Sequence, residues 1–444
     1  MILSGKRTCS YLLTGWFWLL TAGYVAAQQR GGLTESQIDT TQRLIGLLRR
    51  YEFLNISGYI QPQFQLGQTE GQRSFNGGDF PAGVDDRFSV RRGRLRLDYA
   101  RYTPEGQPKV LFVFQFDGTE RGMQTRDFWG RLYDNRFNLF HLTAGLFARP
   151  FGFEVNYGSG DRESPERGRM SQLLMRTERD LGAMISFEPR VPGHPLRQFK
   201  LDVGLFNGPG LASVSDYDTR KDVITRLALK PLRLNKSGTT LAGSVSGYFG
   251  GIARYTNNSY RMANVESTAP LFVRDTSAVI GRQFLPRQYY GADLQLRIPN
   301  RKGFTEFRAE YIGGWQTSTQ ASTETPGVIP NPVSAPGAAP LYVRRFDGAY
   351  FYYLQHLGSL KHQLVVKYDW YDPNKQVSGQ QIDNKFSWAD LRYDTIGFGY
   401  LYYMNENLKV VFWYDVPINE SSRLTGYTQD APDNLLTIRT QYRF

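Results

Sequence analysis

The chain of 444 residues holds one cysteine, Cys9, and four histidines, His141, His194, His356 and His362. Cys9 lies in a stretch that reads as a secretory leader, without the setting of a lipoprotein site. The chain left after cleavage would have no thiol, which excludes disulfides and thiolate chemistry. No histidine pair has metal-ligand spacing, and no glycine-rich phosphate loop opens a helix. His141 shares a strand face with Thr143, and His194 sits in a turn between Gly193 and Pro195. Neither is set beside a serine and an orienting carboxylate, so no enzyme and no cofactor is expected. Also missing is an uninterrupted apolar run of spanning length outside the N-terminus, which rules out a helical membrane protein. The basic balance of +12 comes with no base-stacking module, so nucleic acid is not an expected partner.

What is present begins with the leader. Lys6 and Arg7 precede an apolar core that includes Trp16, Phe17, Trp18, Leu19 and Leu20, and Val25-Ala26-Ala27 offers a cleavage site. Residues 1–27 are read as a signal peptide, whose two cations account for a fall in formal charge from +12 to +10. Residues 28–54 are read as a periplasmic segment. Thr34 and Gln37 match a capping box, and Ile38, Leu44, Ile45, Leu47 and Leu48 recur at helical spacing before Arg49 and Arg50. They predict a short amphipathic helix, packed on its own chain or on a partner subunit.

From residue 55 to 444 the period is two. In the last eleven residues Leu436, Ile438, Thr440, Tyr442 and Phe444 alternate with Thr437, Arg439, Gln441 and Arg443. Chain ends usually fray, so an apolar strand running to the carboxylate reads as one locked in place. A terminal Phe with an aromatic two residues earlier resembles the closing strand of bacterial outer-membrane barrels, the strand read by the barrel-assembly machinery. With 28 Tyr, 29 Phe and 45 Gly the chain suits an all-β fold. Alternation predicts strands over 56–66, 90–100, 110–118, 125–133, 139–148, 181–188, 199–206, 223–230, 241–249, 289–298, 304–315, 348–356, 363–371, 394–403, 408–415 and 434–444. Sixteen is an even number. Short connections such as 134–138, 299–303 and 405–407 alternate with long ones such as 67–89, 149–180, 250–288, 316–347 and 372–393. A soluble sandwich has no reason to sort its loops by parity, whereas a membrane barrel does.

Charge placement agrees. Glu306, Arg308 and Glu310 oppose Phe307, Ala309 and Tyr311, and Lys367 and Asp369 oppose Leu364, Val366, Tyr368 and Trp370. A lipid-facing Lys or Arg costs about 2–4 kcal/mol at the midplane, so the charged faces must look inward. The expectation is an all-β, transmembrane antiparallel β-barrel of sixteen strands in the outer membrane of a Gram-negative bacterium, wide enough for an aqueous channel.

Its lining points to anions. Arg92, Arg94 and Arg96 share one face, about 6.5–7 Å apart by two strand rises. Such a row attracts anions and offers planar forks to phosphate or carboxylate oxygens. The plainer alternative pairs these arginines with acids on neighbouring strands such as Asp117. The long connection 149–180 is taken as the third, the one that folds into the channel of sixteen-stranded porins. It carries Arg149, Arg162, Arg167, Arg169, Arg176 and Arg179 beside six carboxylates, and Pro150 and Gly152 suit an inward turn. Arg149, Arg176 and Arg179 are its candidate constriction residues. A salt-bridged external cap would explain its mixed charge equally well. The Pro/Ala/Thr-rich stretch 316–340 reads as mobile and surface-exposed.

These residues carry a resemblance. Phe88-Ser89-Val90-Arg91-Arg92-Gly93-Arg94-Leu95, Gly145-Leu146-Phe147-Ala148-Arg149-Pro150-Phe151-Gly152 and Arg179-Asp180-Leu181-Gly182 are similar, in this order, to segments of the phosphate-selective porin O and P family. Gly93, Leu146 and Ala148 depart from the family's usual Ala, Gln and Lys. The resemblance implies a homotrimeric sixteen-stranded porin in which a basic ladder leads phosphate or polyphosphate to a loop-lined constriction. The expected function is passive diffusion of small hydrophilic solutes, anions preferred. The alternative is a plugged or narrow barrel serving as a structural partner in a larger outer-membrane complex.

Overall fold

The computed structural model describes residues 53–444 apart from 213–215, 217, 255, 257, 264–269, 277–282 and 327–338. The expected leader and N-terminal helix lie outside the described residues. The rest is a sheet of eighteen strands in one hydrogen-bonded order, built from the alternating segments. The first nine are β1 (Leu54–Gly67), β2 (Asp86–Tyr102), β3 (Pro108–Thr119), β4 (Gly122–Tyr133), β5 (Phe140–Ala148), β6 (Arg179–Phe187), β7 (Phe199–Phe206), β8 (Asp222–Arg233) and β9 (Thr240–Ala253). Then come β10 (Ser259–Ala263), β11 (Leu271–Arg274), β12 (Phe284–Asn300), β13 (Gly303–Ser318), β14 (Leu341–Leu357), β15 (Ser359–Asp372), β16 (Tyr393–Tyr403), β17 (Leu408–Asn419) and β18 (Leu435–Arg443).

Sixteen of these form a closed antiparallel ring. β9 pairs directly with β12, from Ala253↔Phe284 to Thr240↔Arg297, and β1 pairs with β18, from Tyr59↔Arg443 to Gly67↔Leu435. Phe444 completes the seam by exchanging two backbone bonds with Gly58, of 3.0 and 3.1 Å. Each of the sixteen expected segments falls on one strand of this ring, with 139–148, 181–188 and 434–444 overrunning theirs by a residue at one or both ends. β10 and β11, which alternation did not predict, form a separate hairpin in the connection from β9 to β12. β10 runs parallel to the start of β14 at Ser259↔Leu341, a short sheet extension at the outer rim.

The faces sort as the charges require. Every strand of the ring shows at least one large apolar side chain outward, among them Ile56, Phe128, Ile185, Val245, Leu294 and Phe398. Gln61, Gln63, Gln65, Asp202, Lys367, Asp369 and Arg439 are buried on the other side. Closure leaves no strand edge in hydrocarbon, where unsatisfied backbone would cost several kcal/mol per group.

Residues 316–318 and Thr323 correct the reading of 316–340 as surface-exposed, whereas Gln320 and Ala321 are exposed. β13 continues to Ser318, and Gln316, Thr317 and Ser318 are fully buried. Gln316 donates to the Thr323 carbonyl at 2.9 Å and accepts from the Tyr289 hydroxyl, so this polar sequence is satisfied inside the wall. Residues 327–338 lie outside the described set.

The belt yields a test. Leu294→Arg sets a cation on the lipid face in the middle of β12 and is expected to cost about 2–4 kcal/mol of barrel stability if it lies at the midplane. Urea titration of the refolded protein in detergent, followed by its heat-modifiable gel mobility, measures the loss.

Candidate functional site: a lumen crossed by an inserted loop

The connection from β5 to β6 turns inward at once. Pro150 fixes the entry, Phe151 is fully buried between Tyr248 and Tyr289 at ring distances of 6.3 and 6.1 Å, and Gly152 takes φ +64°. A Cβ at Gly152 would run into the Glu310 carboxylate, so only glycine fits this step. Glu310 then accepts from the backbone N–H of Phe153 and Glu154, at 3.2 and 2.9 Å.

From there the loop spans the lumen. Ser159 bonds the Tyr59 hydroxyl at 2.7 Å and its carbonyl accepts from Gln61. Lys409, buried, donates to the carbonyls of Gly160 and Arg162, and Asp161 pairs with Arg443 at 2.7 Å. Arg443 ends β18, so the loop tip reaches the turn-rich end of the barrel. Glu163 takes a two-pronged bond from Arg308, at 2.8 and 3.0 Å. The chain climbs back through the helix α1 (Arg169–Leu174), whose first N–H groups are met by carboxylates from elsewhere. Glu154 accepts from Gly168 and Asp369 from Arg169.

The strongest anchor is Glu166. Arg91, Arg92 and Arg439 converge on its carboxylate at 2.8, 2.7 and 3.0 Å. Burial alone would raise this acid, but the three guanidiniums outweigh it and hold it well below the usual carboxylate range. A depressed carboxylate stabilises its contact at neutral pH. That contribution is full above the ordinary carboxylate value, declines as pH falls below it, and is gone once pH has passed the lowered value.

The loop's anchors sit on β1, β2, β9, β12–β15, β17 and β18, with Arg126 of β4 reaching Glu178 near its end. The wall from β3 to β8 shares an apolar cluster with the loop through Met184, Phe206 and Ile224, and adds further charges. Arg126 is 3.3 Å from Asp117 and 3.8 Å from Glu178, Lys200 is 3.0 Å from Asp202, and Lys230 is 2.8 Å from Glu188. Above the loop lies a cavity of about 1080 Å³. Its wall includes eight arginines (Arg73, Arg91, Arg92, Arg126, Arg162, Arg167, Arg169 and Arg176) and five acids (Asp79, Glu166, Glu178, Glu324 and Asp433).

The six residues singled out from the sequence fall in four places. Arg92, Arg94 and Arg96 do share the inward row, yet each has a carboxylate. Arg92 holds Glu166, Arg94 lies 3.2 Å from Asp117, and Arg96 lies 2.8 Å from Asp98. The plainer alternative, pairing with acids on neighbouring strands, describes Arg94; Arg92 is met by the loop and Arg96 by its own strand. Arg149 is 1% exposed and reaches Asp180, the Thr177 carbonyl and the Met175 sulfur, so it fastens the root of the loop and is absent from the cavity wall. Arg176 lines the cavity and pairs with Glu324, whereas Arg179 is tied to Asp127 and Glu178.

Two arginines came from bulges. Between Gln61 and Pro62 the β1–β2 register slips, which leaves Arg91 as an extra residue and swings it beside Arg92. Pro62 cannot donate to a ladder and was the available signal. A second slip, at Gln115/Phe116, frees Arg126 beside Asp127. No residue type marks it in the sequence. Arg439 lay on the expected inward face, and only the inserted Glu166 gives it a role.

No protein-family model matches the chain, and no curated protein matches it. Solved structures do. OprB of Pseudomonas putida aligns with TM-score 0.53 at 10% identity, covering 91% of this chain and 97% of its own. The outer-membrane channel DcaP of Acinetobacter baumannii aligns at 0.51 and 10%, covering 88% and 97%. The chain has the fold of an outer-membrane porin. OmpF of Salmonella typhi, in its complex with daunomycin, aligns at 0.50 and 10% over 88% and 97%. Likeness at identities this low shows the barrel fold alone and leaves the solute to the site itself.

Two outcomes follow from this geometry. Glu166→Ala leaves Arg92 and Arg439 buried without their counter-charge, a loss of about 3–5 kcal/mol for a broken buried pair. The barrel is expected to fold while the loop becomes a protease target near residues 155–170, read by limited proteolysis in detergent. Asp433, on the cavity wall, has its carboxyl pushed up to about 6 by burial, against Arg169 and with the repulsion of Asp430. Protonation removes one negative charge from the wall. Anion preference is therefore expected to rise as pH falls through about 6, and Asp433→Asn to flatten that response in reversal-potential measurements.

Proposed function

We propose that the chain is a porin through which small hydrophilic solutes diffuse passively, with a bias toward anions. The observation that carries this reading is the cavity wall, where eight arginines face five carboxylates at the outer entrance of a closed barrel. The proposed path descends along β3 to β8, where the loop has fewer polar anchors, past Arg94, Arg126 and Arg179 and then Arg96, Lys200 and Lys230. All six of these cations are paired, so the bias is moderate: a paired cation contributes less field than a free one. Arg92 and Arg176 act at the entrance, and Arg149 acts indirectly by holding the loop root. The motifs similar to the porin O and P family support phosphate among the transported anions and a homotrimer. The Phe444 terminus supports recognition by the barrel-assembly machinery.

A second reading has its own observation. The loop is fastened from Phe151 to the Arg443 end of the barrel, and inward residues along β13–β18 and β1 are packed beneath it. This favours a plugged or narrow barrel acting as a structural partner in a larger surface complex. Planar-bilayer recording separates the two, since a plugged barrel passes almost no current. For the porin, reversal potentials in a salt gradient are expected to be anion-biased. Replacing Arg92 and Arg94 together by Glu is expected to move them toward cation preference. Unchanged potentials would remove both arginines from the path.

A further inference from the structure

The outer cavity is lined by more than charge. Phe75, Trp388, Tyr393 and Tyr427 share its wall with the arginines. The rings and guanidiniums alternate. The Arg169 guanidinium sits 3.6 Å from the Tyr393 ring centre and 4.0 Å from that of Phe75, and Arg73 lies 5.4 Å from Trp388 while donating to the Tyr427 hydroxyl. Arg162 and Arg167, more than nine-tenths buried in the loop, bring positive charge that the protein neutralises incompletely. Arg162 has no carboxylate at ion-pair distance among the described residues, and Arg167 meets Glu178 only at 3.6 Å. Burial, with Arg162 and Arg92 nearby, pushes Arg167 down to about 10 despite Glu178 and Glu154. An added anion relieves this crowding.

A bare inorganic anion would use the cations and leave the rings idle. A planar ring bearing a carboxylate uses both. Its two oxygens match the guanidinium fork, and its face continues the alternation of rings and guanidiniums. The volume, about 1080 Å³, is far more than a hydrated phosphate needs. We propose that this cavity is a binding site for aryl carboxylates, in which the loop arginines hold the carboxylate and the Trp388–Tyr427 rim holds the ring. The inference rests on the channel reading for its role in transport, but binding itself can be measured without conduction.

The test uses the full chain with benzoate, acetate and inorganic phosphate as probes. In planar bilayers benzoate is expected to reduce the chloride current at about tenfold lower concentration than acetate, the ratio that one stacked ring supplies. Calorimetric titration of the detergent-solubilised protein should give the same order, benzoate ahead of acetate and phosphate. Trp388→Ala is expected to bring benzoate down to the level of acetate, and Tyr427→Ala serves the same purpose should the first variant fail to fold. Equal action of benzoate and acetate, or tighter binding of phosphate, overturns the proposal. An anion-biased current without benzoate preference would sink the site and leave the porin reading standing. Benzoate binding by a barrel that passes no current would do the reverse.

Discussion

Closure of the hydrogen-bonded ring is the constraint on which everything else rests. In hydrocarbon a strand edge has no water to fall back on, so the sixteenth strand must return to the first. It does so to the last residue, where Phe444 and Gly58 exchange backbone bonds. The seam brings β2, β1 and β18 side by side, and that adjacency creates the triple arginine site for Glu166. Lumen chemistry is thus a product of the ring's topology more than of any one strand.

Inside the ring, charge is arranged by matching. The loop delivers Glu163 to Arg308 and Glu166 to Arg91, Arg92 and Arg439. Lys409 meets only backbone carbonyls, whose dipoles replace a carboxylate. Removing one partner from such a buried set is costly, whereas the intact set costs desolvation as well as returning attraction. These contacts therefore define where the loop lies more than they add to overall stability. Of the arginines that look like a free ladder in sequence, Arg92 fastens the loop while Arg94 and Arg96 pair with strand carboxylates, and the cations offered to solutes gather above the loop.

Much of the fold was legible in advance because membrane strands obey a strict rule: apolar outward, polar inward, period two. Leu364, Val366, Lys367 and Asp369 are readable one residue at a time. The hairpin of β10 and β11 was not, since Ser259–Ala263 and Leu271–Arg274 stand above the membrane, where no lipid enforces alternation. The site was legible only in its composition. Arg162, Arg167 and Arg169 stood out as a basic run, but their neighbours depend on how far the loop descends, a tertiary fact. Arg91 and Arg126 were hidden for a simpler reason. A bulge resets the face of every residue at that point, and period-two reading assumes that none occurs.

The Glu166 contact also has a temporal meaning. Arg91 and Arg92 lie near the start of the barrel sequence and Arg439 five residues from its end, and they become neighbours only when β18 joins β1. Until that moment Glu166 has two of its three donors at most, and Gln61, which bonds Gln441 across the seam, has no partner there. The full seat for the loop is therefore finished last. Ring closure and the last fastening of the interior are thus one event at the same seam.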